Sequence, residues 1–240
     1  GFLGSPQGSK STLDFIYLAS AIRSGLKVRD LAEVLSISRA DGEARYEVSY
    51  IDHHTGRKET IAGDNVIVAA GTLNTLGILL RSREQGGLSG MPQLGKRFGT
   101  NGDYFGYWDF NDPNVDQTEG LPTTGGVRLS DDEDSPMIGG GGLPAVDQYP
   151  LPKRLRERMK KAYMIAGLGE DKMIGTVTMR KGKIKIEYDS TQSPIFARLK
   201  QVFADISERT GHKVYAPKNP ITVHPTGGAC LASSIEEGVI

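Results

Sequence analysis

The chain has 240 residues, enough to bury a sizeable core in one or two domains. Hydrophobic residues make up 38% and charged residues 24%, and Lys+Arg and Asp+Glu balance at 29 each, so no global field or basic stripe favours nucleic acid. No uncharged apolar run reaches membrane-spanning length, and the one cysteine, Cys230, excludes an internal disulfide and a cysteine-based zinc site.

In chain order, Ser11 to Ser24 carries Leu13, Phe15, Ile16, Leu18, Ala19 and Ile22 at helical spacing, which predicts a helix with one buried stripe, capped by Ser11 or Thr12 and ended by Gly25. Lys27 to Arg39 reads as a strand with Val34, Leu35 and Ile37 inside it. The turn Asp41-Gly42, the alternating run Tyr46 to Ile51 and a third strand beyond Gly56 complete a hairpin meander. Asn65 to Ala70 is almost wholly apolar and leads through Gly71-Thr72 into a helix over Leu73 to Arg83. This predicts a parallel strand buried on both faces and followed by a crossover helix.

From Gly86 to Gly142 the texture turns to glycine, proline and aspartate with scattered aromatics, and the acidic run Asp131 to Asp134 within it reads as a solvated loop. Leu151 to Lys161 gathers six basic residues around Leu155 and Met159, a solvated helix in the simplest reading and a membrane-surface helix in the sharper one. Ile174 to Met179 and Lys183 to Tyr188 alternate as two strands about Lys181-Gly182. Ile195 to Arg209 is an amphipathic helix facing inward with Ile195, Phe196, Leu199, Val202, Phe203 and Ile206.

Four stretches carry candidate chemistry. Gly8-Ser9-Lys10-Ser11-Thr12-Leu13-Asp14 is a glycine-containing loop entering a helix N-terminus, where free amides favour an anion. Glu33-Val34 lies in a strand, and Val34 taken alone is a core residue. Val66 to Thr72 is a strand-to-helix turn whose Gly71 lets backbone approach a ligand; it leads on to Asn101-Gly102-Asp103, a turn signal by itself. Val223-His224-Pro225-Thr226-Gly227-Gly228-Ala229-Cys230 sets a histidine, which titrates near neutrality, beside a proline of fixed φ and two glycines. Without further context His224 is a core histidine and Cys230 a small buried side chain. His53, His54 and His212 lack the spacing of a metal site and read as surface residues.

Taken together and in this order, the four stretches resemble the glucose–methanol–choline family of flavin-dependent alcohol oxidoreductases, in its cholesterol-oxidase-like branch. The resemblance implies an α/β fold with an α+β substrate domain. A partial, Rossmann-like FAD-binding domain would span residues 1–104 and 222–240, and a sheet-and-helix substrate-binding domain residues 105–221. It implies FAD as cofactor, held by Val34, Ala70, Gly71, Asn101, Gly102, Pro225 and Gly227. His224 becomes the base or hydrogen-bond partner of the substrate hydroxyl as hydride passes to the flavin. The implied partner is a small-molecule alcohol, such as a sterol or another bulky hydrophobic alcohol, with no nucleic acid; membrane contact is not indicated.

Two of the family's parts are absent: the Gly-x-Gly-x-x-Gly fingerprint of the pyrophosphate loop and a second catalytic residue well beyond the His-Pro motif. The chain, which opens on Gly1 without a methionine, is therefore expected to be an internal piece that is inactive by itself. The family's isomerising glutamate falls near Ile138 to Gly142, where no carboxylate stands; Asp147 is the nearest downstream acid. A non-catalytic substrate-binding module without flavin stays open as the alternative, and a nicotinamide-dependent dehydrogenase ranks below it.

Overall fold

A computed structural model of the chain describes residues 10–118, 123, 125–132 and 135–239. Gly8 and Ser9 of the first candidate loop, and Glu133 and Asp134 of the acidic run, lie outside the described residues. A π-helical turn, Asp14–Leu18, continues into α1, Ala19–Arg23. The strands β1 (Ala32–Arg39), β2 (Tyr46–Asp52) and β3 (Arg57–Gly63) precede α2 (Gly71–Glu84). Then come β4 (Phe98–Gly99), β5 (Tyr104–Asp109), β6 (Gly125–Arg128), β7 (Met137–Gly141), α3 (Lys153–Met159) and β8 (Ala162–Leu168). The chain closes with β9 (Thr176–Arg180), β10 (Lys183–Glu187), α4 (Pro194–Thr210), β11 (Val214–Tyr215) and β12 (Thr226–Gly227).

These elements divide into two compact units. The first comprises residues 11–99, 173–188 and 225–240, and the second comprises 100–172 and 189–224 together with Lys10. The β9–β10 hairpin belongs to the first unit, although in sequence it falls within 105–221.

In the first unit β1, β2 and β3 form an antiparallel meander, as the alternation and the turns at Asp41-Gly42 and Gly56 predict. A register shift between Val34 and Ser36 leaves Leu35 out of the ladder. The core is built on α2: Leu76 and Leu80 pack with Leu94, Phe98 and Val177. Chain reversal brings β12 against β4, and here glycine is obligatory. Gly227, at φ 80°, would set a Cβ 1.9 Å from the Arg97 carbonyl oxygen, and Gly228, at φ 78°, would press on Leu76.

Several expectations fail in this unit. Residues 65–70 form no strand, and Ile67 is 92% exposed, because no neighbouring strand among the described residues supplies the ladder that a buried parallel strand requires. All described strand pairs are antiparallel, so the architecture is α+β, and a Rossmann-like sheet is not formed by these residues. The apolar stripe of Leu13, Phe15, Ile16, Leu18 and Ile22 is exposed as well, since nothing described packs on it. Leu13 occupies the N-cap without a side-chain cap. The Thr12 hydroxyl donates instead to the Asp14 carboxylate and holds that group below its ordinary range.

In the second unit a five-stranded antiparallel sheet runs in the order β11-β5-β8-β7-β6. The glycine-, proline- and aspartate-rich stretch from Gly86 to Gly142 thus supplies β4 to the first unit and β5, β6 and β7 to this sheet. Their glycines hide the alternation but permit close approach: a Cβ on Gly140 would meet the Met164 carbonyl oxygen at 1.9 Å. The amphipathic helix α4 covers the sheet with Ile195, Phe196, Leu199 and Phe203, and the Phe203 ring stacks on Tyr104 with centroids 5.3 Å apart. Gly167 makes room for Leu199, whose Cδ2 lies 2.3 Å from where a Cβ would stand. No helix of the described residues is long and apolar enough to cross a membrane.

Leu76→Ala, at a side chain only 1% exposed, should destabilise the first unit by about 2–5 kcal/mol. Urea unfolding monitored by circular dichroism measures the change in midpoint.

Candidate active site

Residues 100–103 run from the edge of the second unit into β5. Their shape is set by Asp171, whose Oδ2 accepts from both the backbone N–H and the hydroxyl of Thr100 at 2.9 Å. The Thr100 hydroxyl oxygen accepts in turn from Gly102 N at 2.9 Å, and the Asn101 carbonyl accepts from Gly169 N at 3.0 Å. Gly102 lies at φ 72°, and a Cβ there would stand 2.5 Å from the Gly169 carbonyl oxygen. Any other residue would push this turn off β8, and with it Asp103, the next residue.

Asp103 has no solvent exposure. Its Oδ2 accepts from the Thr222 hydroxyl at 2.5 Å, from Val223 N at 3.1 Å and from His224 N at 3.2 Å. Its Oδ1 lies 2.9 Å from Nδ1 of His224. The Asn101 amide, oriented with its nitrogen toward the carboxylate, donates to Asp103 and turns its oxygen to His224 Nδ1 at 3.1 Å. A buried carboxylate surrounded by donors acts as acceptor, so Nδ1 carries the ring proton. The neutral ring then presents the lone pair of Nε2.

The imidazole is not a core group, since its side chain is 55% exposed. The structure therefore holds a histidine clamped on one nitrogen by a buried acid, with its other nitrogen free of a protein partner among the described residues. Such an arrangement can accept a proton from a bound hydroxyl, or return one, with ring orientation and tautomer set in advance.

The other sequence candidates fall as follows. Asn101 and Gly102 belong to the second unit with His224. Val34, Ala70, Gly71, Pro225 and Gly227 belong to the first. Within the first unit an open groove of about 530 Å³ collects Gly71, Thr72, Thr226, Gly227 and Cys230. The Pro225 carbonyl accepts from the Thr72 hydroxyl at 2.7 Å and ties the His-Pro segment to the start of α2. Ala70 is the exposed N-cap of α2, and Val34 sits half-buried at the β1 irregularity without lining the groove. Cys230 is half-buried, with its thiol 3.9 Å from the Arg97 carbonyl oxygen.

The sequence alone does not mark Asp103 as a site residue. An aspartate after Asn-Gly is an ordinary turn residue, and its partner is 121 positions away. Asp147, the acid nearest the family's isomerising position, is paired with Lys160 at 2.9 Å and its side chain is 67% exposed, which is not the setting of a buried proton shuttle. His53 and His54 lie exposed at a turn against Glu33 and Asp30, and no cluster among the described residues could hold a metal.

No family model matches the chain. A cholesterol oxidase of Acinetobacter baumannii is 28% identical over 137 residues, a match that covers 54% of this chain and 25% of that protein. The chain thus aligns with about a quarter of the length of its curated relative. This distant similarity is to an oxidoreductase, the coarse class that the motifs imply.

Two outcomes are expected. Nitrogen-detected NMR should find the neutral His224 ring protonated on Nδ1, and Asp103→Ala should abolish that preference and cost about 1–3 kcal/mol for the stranded donors. At His54, hydrogen bonding to Asp30 and the charge of that carboxylate raise the imidazole above its ordinary value. The stabilisation from the pair is full below the unfolded-state histidine value and fades as pH rises through the raised folded one. Asp30→Asn should bring the titration of His54, followed by its ring proton shifts, back toward an ordinary histidine.

Proposed function

We propose that this chain is part of a flavin-dependent oxidoreductase that oxidises an alcohol, with His224 as the group that holds and accepts the hydroxyl proton. The observation that carries the reading is the clamp on His224: a fully buried Asp103 occupies Nδ1 of a half-exposed ring and leaves Nε2 without a protein partner among the described residues. The similarity to a cholesterol oxidase supports the reaction class and favours a sterol or another bulky hydrophobic alcohol as substrate.

A flavin fits the first unit in part. The first turn of α2 has no side-chain cap over its amides, small residues line the groove beside it, and Gly71 at φ 73° has open space where a side chain would stand. In that unit Val34, Ala70, Gly71, Pro225 and Gly227 are the candidates for holding FAD; in the second, Asn101 and Gly102. The chemistry a bound flavin supplies is acceptance of the hydride from the carbinol carbon. This chain's own part is to take the hydroxyl proton at Nε2 as the carbonyl forms, with Asp103 and Asn101 keeping the ring in register.

In the flavin-loaded protein, His224→Gln should slow anaerobic flavin reduction by an alcohol substrate about 100-fold in stopped flow while leaving the flavin bound. An unchanged rate would return His224 to a structural role. A purified protein that takes up no flavin and gains no visible absorbance would favour a non-catalytic substrate-binding module.

A further inference from the structure

Strand β5 starts beside Asp103 and ends at Asp109, about 20 Å away at the strand rise per residue. The far end carries a second group of side chains that the proposed reaction does not use. Asp109 is 6% exposed and is bound by Arg158 Nε at 2.6 Å, and Arg158 donates onward to the Tyr215 hydroxyl at 2.8 Å. These three residues line two adjoining hollows on the second unit. One is a cleft of about 410 Å³ walled by Tyr107, Leu151, Leu155, Met159 and Ala162. The other is an open basin of about 770 Å³ bordered by Arg154, Lys161, His212 and Lys213.

The ion pairs decide what the basin can attract. Asp109 is paired with Arg158, and Glu157 shares Lys160 with Asp147, so part of one carboxylate charge remains beside the basin. Arg154 and Lys161 have no ion-pair partner among the described residues, and the Lys213 ammonium lies 4.8 Å from the centre of the Tyr215 ring without a carboxylate. Arg154, Lys161 and Lys213, none in an ion pair among the described residues, therefore border one concavity whose cations outnumber its carboxylates, and their summed field favours an anion. The cleft next to it is apolar and falls within the range of about 300–1,000 Å³ typical of small-ligand pockets. Helix α3 accounts for the pairing, because Leu155 and Met159 line the cleft, Arg154 lines the basin and Arg158 lines both.

We propose that cleft and basin together bind one anionic amphiphile of the fatty-acid class, its carboxylate among Arg154, Lys161 and Lys213 and its chain against Leu151, Leu155 and Met159. Neither half accounts for the other: a bare anion leaves the cleft unfilled, and a neutral chain leaves the cations unmatched. The test is calorimetric titration of the 240-residue chain with laurate below micelle formation. Acetate serves as the head alone and dodecyltrimethylammonium as the same tail with opposite charge. Laurate should saturate a single site, and both controls should bind at least about tenfold more weakly. The combined variant Arg154→Ala, Lys161→Ala and Lys213→Ala, whose side chains are surface groups, should lose about tenfold in laurate affinity, and Leu155→Ser a similar factor, with circular dichroism unchanged. Equal binding of laurate and dodecyltrimethylammonium would overturn the proposal, as would wild-type affinity in the triple variant. Binding to phosphatidylcholine vesicles doped with phosphatidylglycerol, without binding of monomeric laurate, would also overturn it in favour of a membrane-facing surface.

Discussion

A buried aspartate organises the second unit's candidate site. Asp103 has no exposure to water, and a carboxylate in that position costs several kcal/mol unless its oxygens are fully engaged. The chain meets that demand locally and at long range at once. Thr222, Val223 and His224 close over one oxygen with a hydroxyl and two backbone amides, and the imidazole covers the other. Asn101 from the same turn is oriented to the acid and the ring together. Removing Asp103 would therefore unpin the segment that carries His224 as well as alter the ring, which is why tautomer and stability have to be measured side by side.

The turn before Asp103 shows what keeps the acid in place. Gly102 is held against Gly169, and Thr100 is tied to Asp171, so the position of the carboxylate is referred back to β8 and the loop after it. The first unit uses glycine in the same way around its own core, where Gly227 and Gly228 fold the chain onto Arg97 and Leu76. In both units these glycines serve close packing of protein on protein. That accounts for them without a ligand, whereas Gly71, one of several glycines with open space around them, is the one of these that lines the groove of the first unit.

Much of the fold could be read along the chain where one face of an element is buried against a local partner. The β1–β3 meander, the β9–β10 hairpin, α2 and α4 all carry their period in adjacent residues, and they form where that period predicts. The strands β5 to β8 were harder to see, because glycine replaces the alternating apolar residues in β6 and β7, and β8 follows a basic helix without a turn signal. The run at 65–70 misled in the opposite direction. Its composition suits a buried strand, but a strand needs partners to pair with, and the described residues provide none.

For the candidate site, the sequence by itself determined the local pattern: a histidine beside a proline and two glycines, in a motif order that resembles a flavin-enzyme family. It also determined the amphipathic character of the residues around Leu155 and Met159. Only the tertiary structure decided which nitrogen of His224 is free and which residue holds the other, because a hydrogen bond between positions 103 and 224 leaves no periodic trace in the chain. The same holds for the cations around Lys213. Whether a charge is compensated depends on which acids fold beside it, and that is a property of distance in space rather than separation in sequence.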